Sequence, residues 1–294
     1  MKTLLALLVA VAGSVLINWA IFLQKKAVLS LPEVKAKLSW SLVRSFVTNR
    51  PWLLAQAANV SGFALYMVAL SLAPVSIVEP IIASGVVIPA WLAIRNLGEK
   101  PRKVDFLGMG MSVLGVTFIA LSLLEGLPED VLIHPYEVWI VAAAIFGAAI
   151  AVPLLMRGNP NREAAGLGVS VGLLFGIAAV FTRLLLMYWS KDWPLFVIFT
   201  AACIAGYLPG FIVLQAALQR GMATVVAPIY NGIMEVVPIV LGMVVLNEKF
   251  PRSHLLTALR LTAFALVIAG TVLLSARAEA GEPQPGRAQP ASIG

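Results

Sequence analysis

The sequence predicts an all-α polytopic membrane protein of about nine transmembrane helices, built from two inverted-topology repeats. Three observations lead there. Hydrophobic residues make up 60% of the 294 and charged residues 12%, against about 45–50% and about 25% in soluble globular chains. The apolar residues fall into runs of roughly 20, the length a helix needs to cross a hydrocarbon core. The pattern of landmarks then recurs after 148 residues. Mean hydropathy is +0.94, which excludes a soluble enzyme, a disulfide scaffold and a disordered chain. The single cysteine, Cys203, can neither pair within the chain nor build a thiolate metal site.

The spans are expected at about residues 3–23, 51–73, 74–96, 104–124, 137–156, 166–189, 194–218, 222–246 and 253–275. Runs of this length suit helices, since barrel strands would be short and alternating. The first span imitates a signal peptide through Lys2 and Ala10-Val11-Ala12. Its apolar run continues to Leu23, so it reads as a retained helix. Residues 1–156 form the first transmembrane repeat with a basic loop at 24–50, and residues 166–275 form the second. The tail at 276–294, rich in Pro, Gly, Glu, Gln and Arg, reads as disordered. Within the basic loop, residues 33–50 mix Lys35, Lys37, Arg44 and Arg50 with Leu38, Trp40, Leu42, Val43 and Phe46. Two readings stay open for this stretch: a helix on the anionic membrane surface, or an ordinary connecting loop.

Net charge is +7. The connections after spans 1, 3, 5 and 7, with the tail, carry fifteen of the Lys and Arg residues, and the opposite side carries four. Positive-inside bias then places the N-terminus outside and the C-terminus in the cytoplasm of a cell (inner) membrane.

The internal repeat rests on aligned landmarks. Gly62-Phe63-Ala64-Leu65 matches Gly210-Phe211-Ile212-Val213, Pro80 matches Pro228, and Leu97-Gly98-Glu99-Lys100 matches Leu246-Asn247-Glu248-Lys249. Spans 2–4 therefore correspond to spans 7–9. A shift of five helices, an odd number, makes equivalent segments cross the membrane in opposite directions. This architecture serves alternating access, with a site near the bilayer middle at the repeat interface.

The stretch Ala-Leu-Ser-Leu-Ala-Pro-Val-Ser-Ile-Val-Glu-Pro at 69–80, Leu-Gly-Glu-Lys at 97–100 and Gly-Met-Gly-Met-Ser-Val-Leu-Gly at 108–115 resembles the drug/metabolite transporter superfamily of the EamA kind. Gln24-Lys25-Lys26 after the first span, Ala-Pro-Ile-Tyr at 227–230 and a count of nine spans resemble its NIPA-type magnesium transporters. Glu79 and Glu235 depart from that branch, standing where it has neutral, hydroxyl-bearing residues.

A charge near mid-bilayer costs at least about 2.5–3.5 kcal/mol, so each needs a partner or a watery cavity. Glu79, Arg183, Glu235 and Arg260 qualify, all in the outer half of the bilayer. Two readings follow: the carboxylates line a shared vestibule for a cation, proton or amine, or they form fixed Glu–Arg bridges. Asn231 and Glu235 share a helical face extended by Pro238, and Ser76 and Glu79 share another beside Pro80. Pro80, Pro228 and Pro238 remove backbone donors and are hinge candidates. Asn18 on span 1, Gln56, Asn59 and Tyr66 on span 2, and the rings of Trp19, Tyr207 and Tyr230 complete the candidate cavity set. Gly168, Gly172 and Gly176, with Gly206 and Gly210, form ridges for close helix packing, within one chain or in a homodimer.

The sequence contains no phosphate-binding loop, no His-Glu-x-x-His pair and no nucleophile elbow. The expectation is therefore no enzyme, no cofactor and no nucleic-acid partner; the partners are the lipid bilayer and a small-molecule or ion substrate. The leading reading is a secondary transporter of a small polar solute, an organic metabolite or drug-like compound, working by alternating access. The alternative is a Mg²⁺ or other divalent-cation transporter of NIPA type, in which Glu79 and Glu235 would hold the metal. Two buried arginines argue against a bare Mg²⁺ site. An intramembrane enzyme or a non-transporting scaffold are the alternatives of another class.

Overall fold

The computed structural model describes residues 2–34, 39–72, 78, 81–82, 84–85, 87–122, 135–245 and 253–276. Ten helices account for nearly all of them: α1 (Lys2–Val28), α2 (Trp40–Val47), α3 (Arg50–Leu72), α4 (Val87–Leu97), α5 (Lys103–Ser122), α6 (Pro135–Leu155), α7 (Pro160–Tyr188), α8 (Trp193–Arg220), α9 (Ala223–Val245) and α10 (His254–Ala276). Eight are long and apolar enough to cross a membrane, and α4 is a shorter apolar helix. The protein is therefore a polytopic integral membrane protein. In hydrocarbon a helix satisfies its own backbone, which is why these apolar runs take that form. Their outer faces present bare Leu, Val, Ile and Trp, among them Leu8, Leu54, Ile140 and Leu255, which lipid rather than water must cover.

Helix α1 runs five residues beyond the expected end at residue 23. The extension carries Lys25, buried with only 4% of its surface exposed. Its ammonium can stay there because it donates to the carbonyls of Leu218 (2.6 Å) and Gly221 (2.5 Å). The third span departs in the other direction. The expected continuous run at 74–96 turns at Gly85, and α4 begins two residues later. Ser14 Oγ donates to the carbonyls of Ile81 (3.0 Å) and Ile82 (3.1 Å), so α1 supplies partners where the helix stops. A Cβ on residue 85 would collide with Ser14 Oγ and Asn18 Nδ2, which is why glycine stands at this close approach.

Helix α2 is amphipathic and short. Ser39 caps it by accepting from Leu42 N–H at 3.2 Å, and Leu42 and Phe46 are buried while Trp40, Val43 and Val47 are exposed. The Phe46 ring meets Trp52 edge-on at 5.5 Å.

Small residues set the pairing of the long helices. Gly62 brings α3 onto α1, where a Cβ would lie 2.8 Å from Ile17 N. Gly210 brings α8 onto α7 in the same way, where a Cβ would lie 2.7 Å from the Phe175 ring. Gly168, Gly172 and Gly176 of α7 face Ile229, Ile233 and Val237 of α9, and Gly206 faces Ala178, so these ridges are used inside one chain. Across the halves α5 packs along α10, Gly108 against Leu274 and Gly115 against Val267. Of the expected tail at 276–294, all but Ala276 lies outside the described residues.

Candidate functional site

The connections after the first, third, fifth and seventh spans gather at one end of the bundle, here called the basic end. Two residues of the first half grip the α8–α9 turn there from opposite sides. Lys25 holds the last carbonyls of α8, as above. Gly98 ends α4 in a left-handed conformation (φ 66°), with the Glu99 N–H reaching back to the Ala93 carbonyl at 3.3 Å. This places the buried Glu99 carboxylate on the first turn of α9, where it accepts from Ala223 N–H (2.8 Å), Thr224 N–H (3.2 Å) and Thr224 Oγ1 (2.9 Å). A cation sits at a helix C-terminus and an anion at a helix N-terminus, each complementing the local dipole. Arg220 adds salt bridges to Glu163 (2.6 Å) and Glu33 (3.3 Å). The apolar cluster beside them joins Ile21 and Val28 of α1 and Phe46 of α2 to Leu214 and Leu218 of α8 and Val226 of α9. The basic end is therefore sealed between the halves.

Beyond this seal lies a cavity of about 500 Å³ between α1, α3, α5, α7, α8 and α9. Its polar lining is Asn18 and Gln24 from α1, Asn59 and Tyr66 from α3, Ser112 from α5, Tyr207 from α8, and Tyr230, Asn231 and Glu235 from α9. Asn18 Nδ2 donates to the Ser14 carbonyl at 2.9 Å. Gln24 Oε1 accepts from Gln215 Nε2 (3.1 Å), whose Oε1 accepts from Trp52 Nε1 (3.0 Å), a chain running from the cavity floor toward the seal. Ser112 is buried, and its hydroxyl has no hydrogen-bond partner among the described residues. Pro228 and Pro238 also line the cavity, and α9 passes through both without breaking. Each proline removes the N–H that would have bonded the carbonyl four residues earlier, at 224 and 234.

Of the residues expected from the sequence to form the site, Asn18, Tyr230, Asn231, Glu235, Pro228 and Pro238 come together here, with Asn59, Tyr66 and Tyr207. Glu79, Ser76 and Pro80 lie outside the described residues. Arg183 and Arg260 do not line the cavity. Arg260 is buried at the end of α5, where Nε donates to Ser122 Oγ (3.2 Å) and Nη2 to the Ser122 carbonyl (3.1 Å). It thus serves the C-terminus of that helix. Trp19 is exposed on the outer face of α1. Sequence reasoning missed Gln24 and Ser112 as lining residues, although both sit inside motifs it had singled out. Among the described residues no three His, Cys, Asp or Glu side chains gather as a metal cluster.

Residues 1–125 match the family described as Magnesium transporter NIPA. The chain is 29% identical over 283 residues to an Arabidopsis thaliana protein named probable magnesium transporter NIPA9, covering 91% of this chain and 80% of the relative. It is 25% identical over 301 residues to probable magnesium transporter NIPA6 of the same plant, covering 95% of this chain and 89% of the relative. No solved structure matches the chain. The resemblance to NIPA-type proteins read from the motifs is thereby supported from both halves, since these relatives extend well beyond residue 125.

Proposed function

We propose that this chain is a secondary transporter that carries Mg²⁺ or a similar divalent cation across a membrane by alternating access. The observation that carries the reading is the cavity between the two halves, closed at the basic end and holding the Glu235 carboxylate among carboxamides and phenols. A carboxylate and neutral oxygens are what a hard cation binds. The similarity to proteins named as magnesium transporters supports the same cargo. The Lys25 and Glu99 grip on the α8–α9 turn is the contact that must release when the site opens to the basic side.

A second reading keeps the same transport cycle with a small organic solute as cargo. Three tyrosines in the lining favour it, as does a volume within the range of about 300–1,000 Å³ typical of small-molecule sites.

Purified protein in liposomes loaded with a fluorescent Mg²⁺ indicator distinguishes them. Mg²⁺ entry is expected, and Glu235→Gln is expected to slow it by at least about tenfold, the loss of one charged contact. Unchanged thermal unfolding of the variant in detergent shows that the fold is intact. Entry of radiolabelled amino acids or amines with no Mg²⁺ flux would overturn the first reading in favour of the second.

A further inference from the structure

We infer that the cavity takes its cation with the water shell in place, so that the protein binds the coordinated waters and leaves the metal untouched. This rests on the divalent-cation reading above and specifies the form of the cargo. Mg²⁺ gives up water reluctantly, and a protein that replaces the shell must present near-ideal octahedral oxygens at about 2.0–2.1 Å. The described lining offers one carboxylate, Glu235, and the described residues hold no cluster of acidic, His or Cys side chains able to grip a bare ion. Size points the same way. Six waters at about 30 Å³ each occupy about 180 Å³, well within the 500 Å³ available.

The chemistry of the wall fits the outside of such a complex. A metal-bound water directs its hydrogens outward, so the hydrated ion presents donors in every direction and needs acceptors around it. Asn18, Asn59, Asn231 and Glu235 supply them from three different helices around one cavity, a set suited to surrounding a large hydrated sphere.

Hexaamminecobalt(III) tests the inference, because its six ammonia ligands are inert to exchange and present N–H donors at the radius of a hydrated ion. In the Mg²⁺-entry assay it is expected to compete, with half-inhibition within about tenfold of the half-saturating Mg²⁺ concentration. Asn59→Ala should weaken Mg²⁺ and hexaamminecobalt(III) together, by about threefold, the scale of one neutral hydrogen bond. Asn231→Ala is the second variant, and thermal unfolding reports whether each is folded. Mg²⁺ entry untouched by millimolar hexaamminecobalt(III) would overturn the inference while leaving the transport reading standing. So would an Asn59→Ala variant that loses Mg²⁺ affinity but is inhibited by the complex as strongly as before. Absence of Mg²⁺ entry in the parent protein would remove the transport reading and the inference with it.

Discussion

Gly172 shows how a residue with no side chain shapes the site. It sits on α7 facing α9, and a Cβ there would lie 2.6 Å from Ile233 Cβ and 2.9 Å from the Tyr230 carbonyl. Gly172→Ala must therefore push apart the two helices, and α9 carries Tyr230, Asn231 and Glu235. Overpacking of this kind costs about 1–3 kcal/mol, expected as a lower midpoint of thermal unfolding in detergent and a weaker apparent Mg²⁺ affinity. Gly147→Ala, where a Cβ meets nothing within 4 Å, is the control and should leave both unchanged. The α9 face was legible in the sequence because Asn231 and Glu235 stand four apart, and helical spacing alone puts them together. Arg260 was not. A buried guanidinium announces only that it needs a partner, and the one it finds at Ser122 is 138 residues away on a neighbouring helix.

Helix ends, more than helix interiors, join the two halves at the element scale. The first turn of α9 has no intrahelical partners for its N–H groups, and Glu99 of the first half supplies them. Glu99→Ala leaves the Ala223 and Thr224 donors buried without acceptors, an omission that costs about 1–3 kcal/mol. The midpoint of thermal unfolding should fall accordingly, and protease cleavage at the α8–α9 turn should accelerate. Glu99→Gln keeps an acceptor and should lose less; equal loss from both variants would show that the charge, not the hydrogen bonding, is what matters. Hydropathy located the spans well because lipid imposes one requirement on every long apolar run. It ended α1 too early because Lys25 reads as a residue that must leave the bilayer, whereas carbonyls 193 and 196 positions away hold it inside. It also missed the turn at Gly85, where the apolar run continues but Ser14 and Asn18 of α1 occupy the space a side chain would need.

At the scale of the whole molecule, transport asks that one end open as the other closes, and the basic end is where the closed contact is visible. Glu33 and Glu163 bind Arg220 from opposite directions, Glu33 following α1 and Glu163 belonging to the first turn of α7. The seal joins the start of the first half to the α8–α9 turn of the second. A covalent link across it should hold the halves in the arrangement described here and stop turnover without disturbing the cavity. Because Cys203 is the one native cysteine, Cys203→Ser provides a clean background for Glu33→Cys with Arg220→Cys. The unlinked double variant keeps the Lys25 and Glu99 contacts and should carry Mg²⁺. A short bis-methanethiosulfonate linker should abolish flux, and dithiothreitol should restore it. Hexaamminecobalt(III) should still protect the linked protein against heat, since the cavity lies beyond the seal. If the linked protein transported as fast as the unlinked one, the basic end would be a fixed structural contact, and the path for the ion would have to avoid the interface between the repeats.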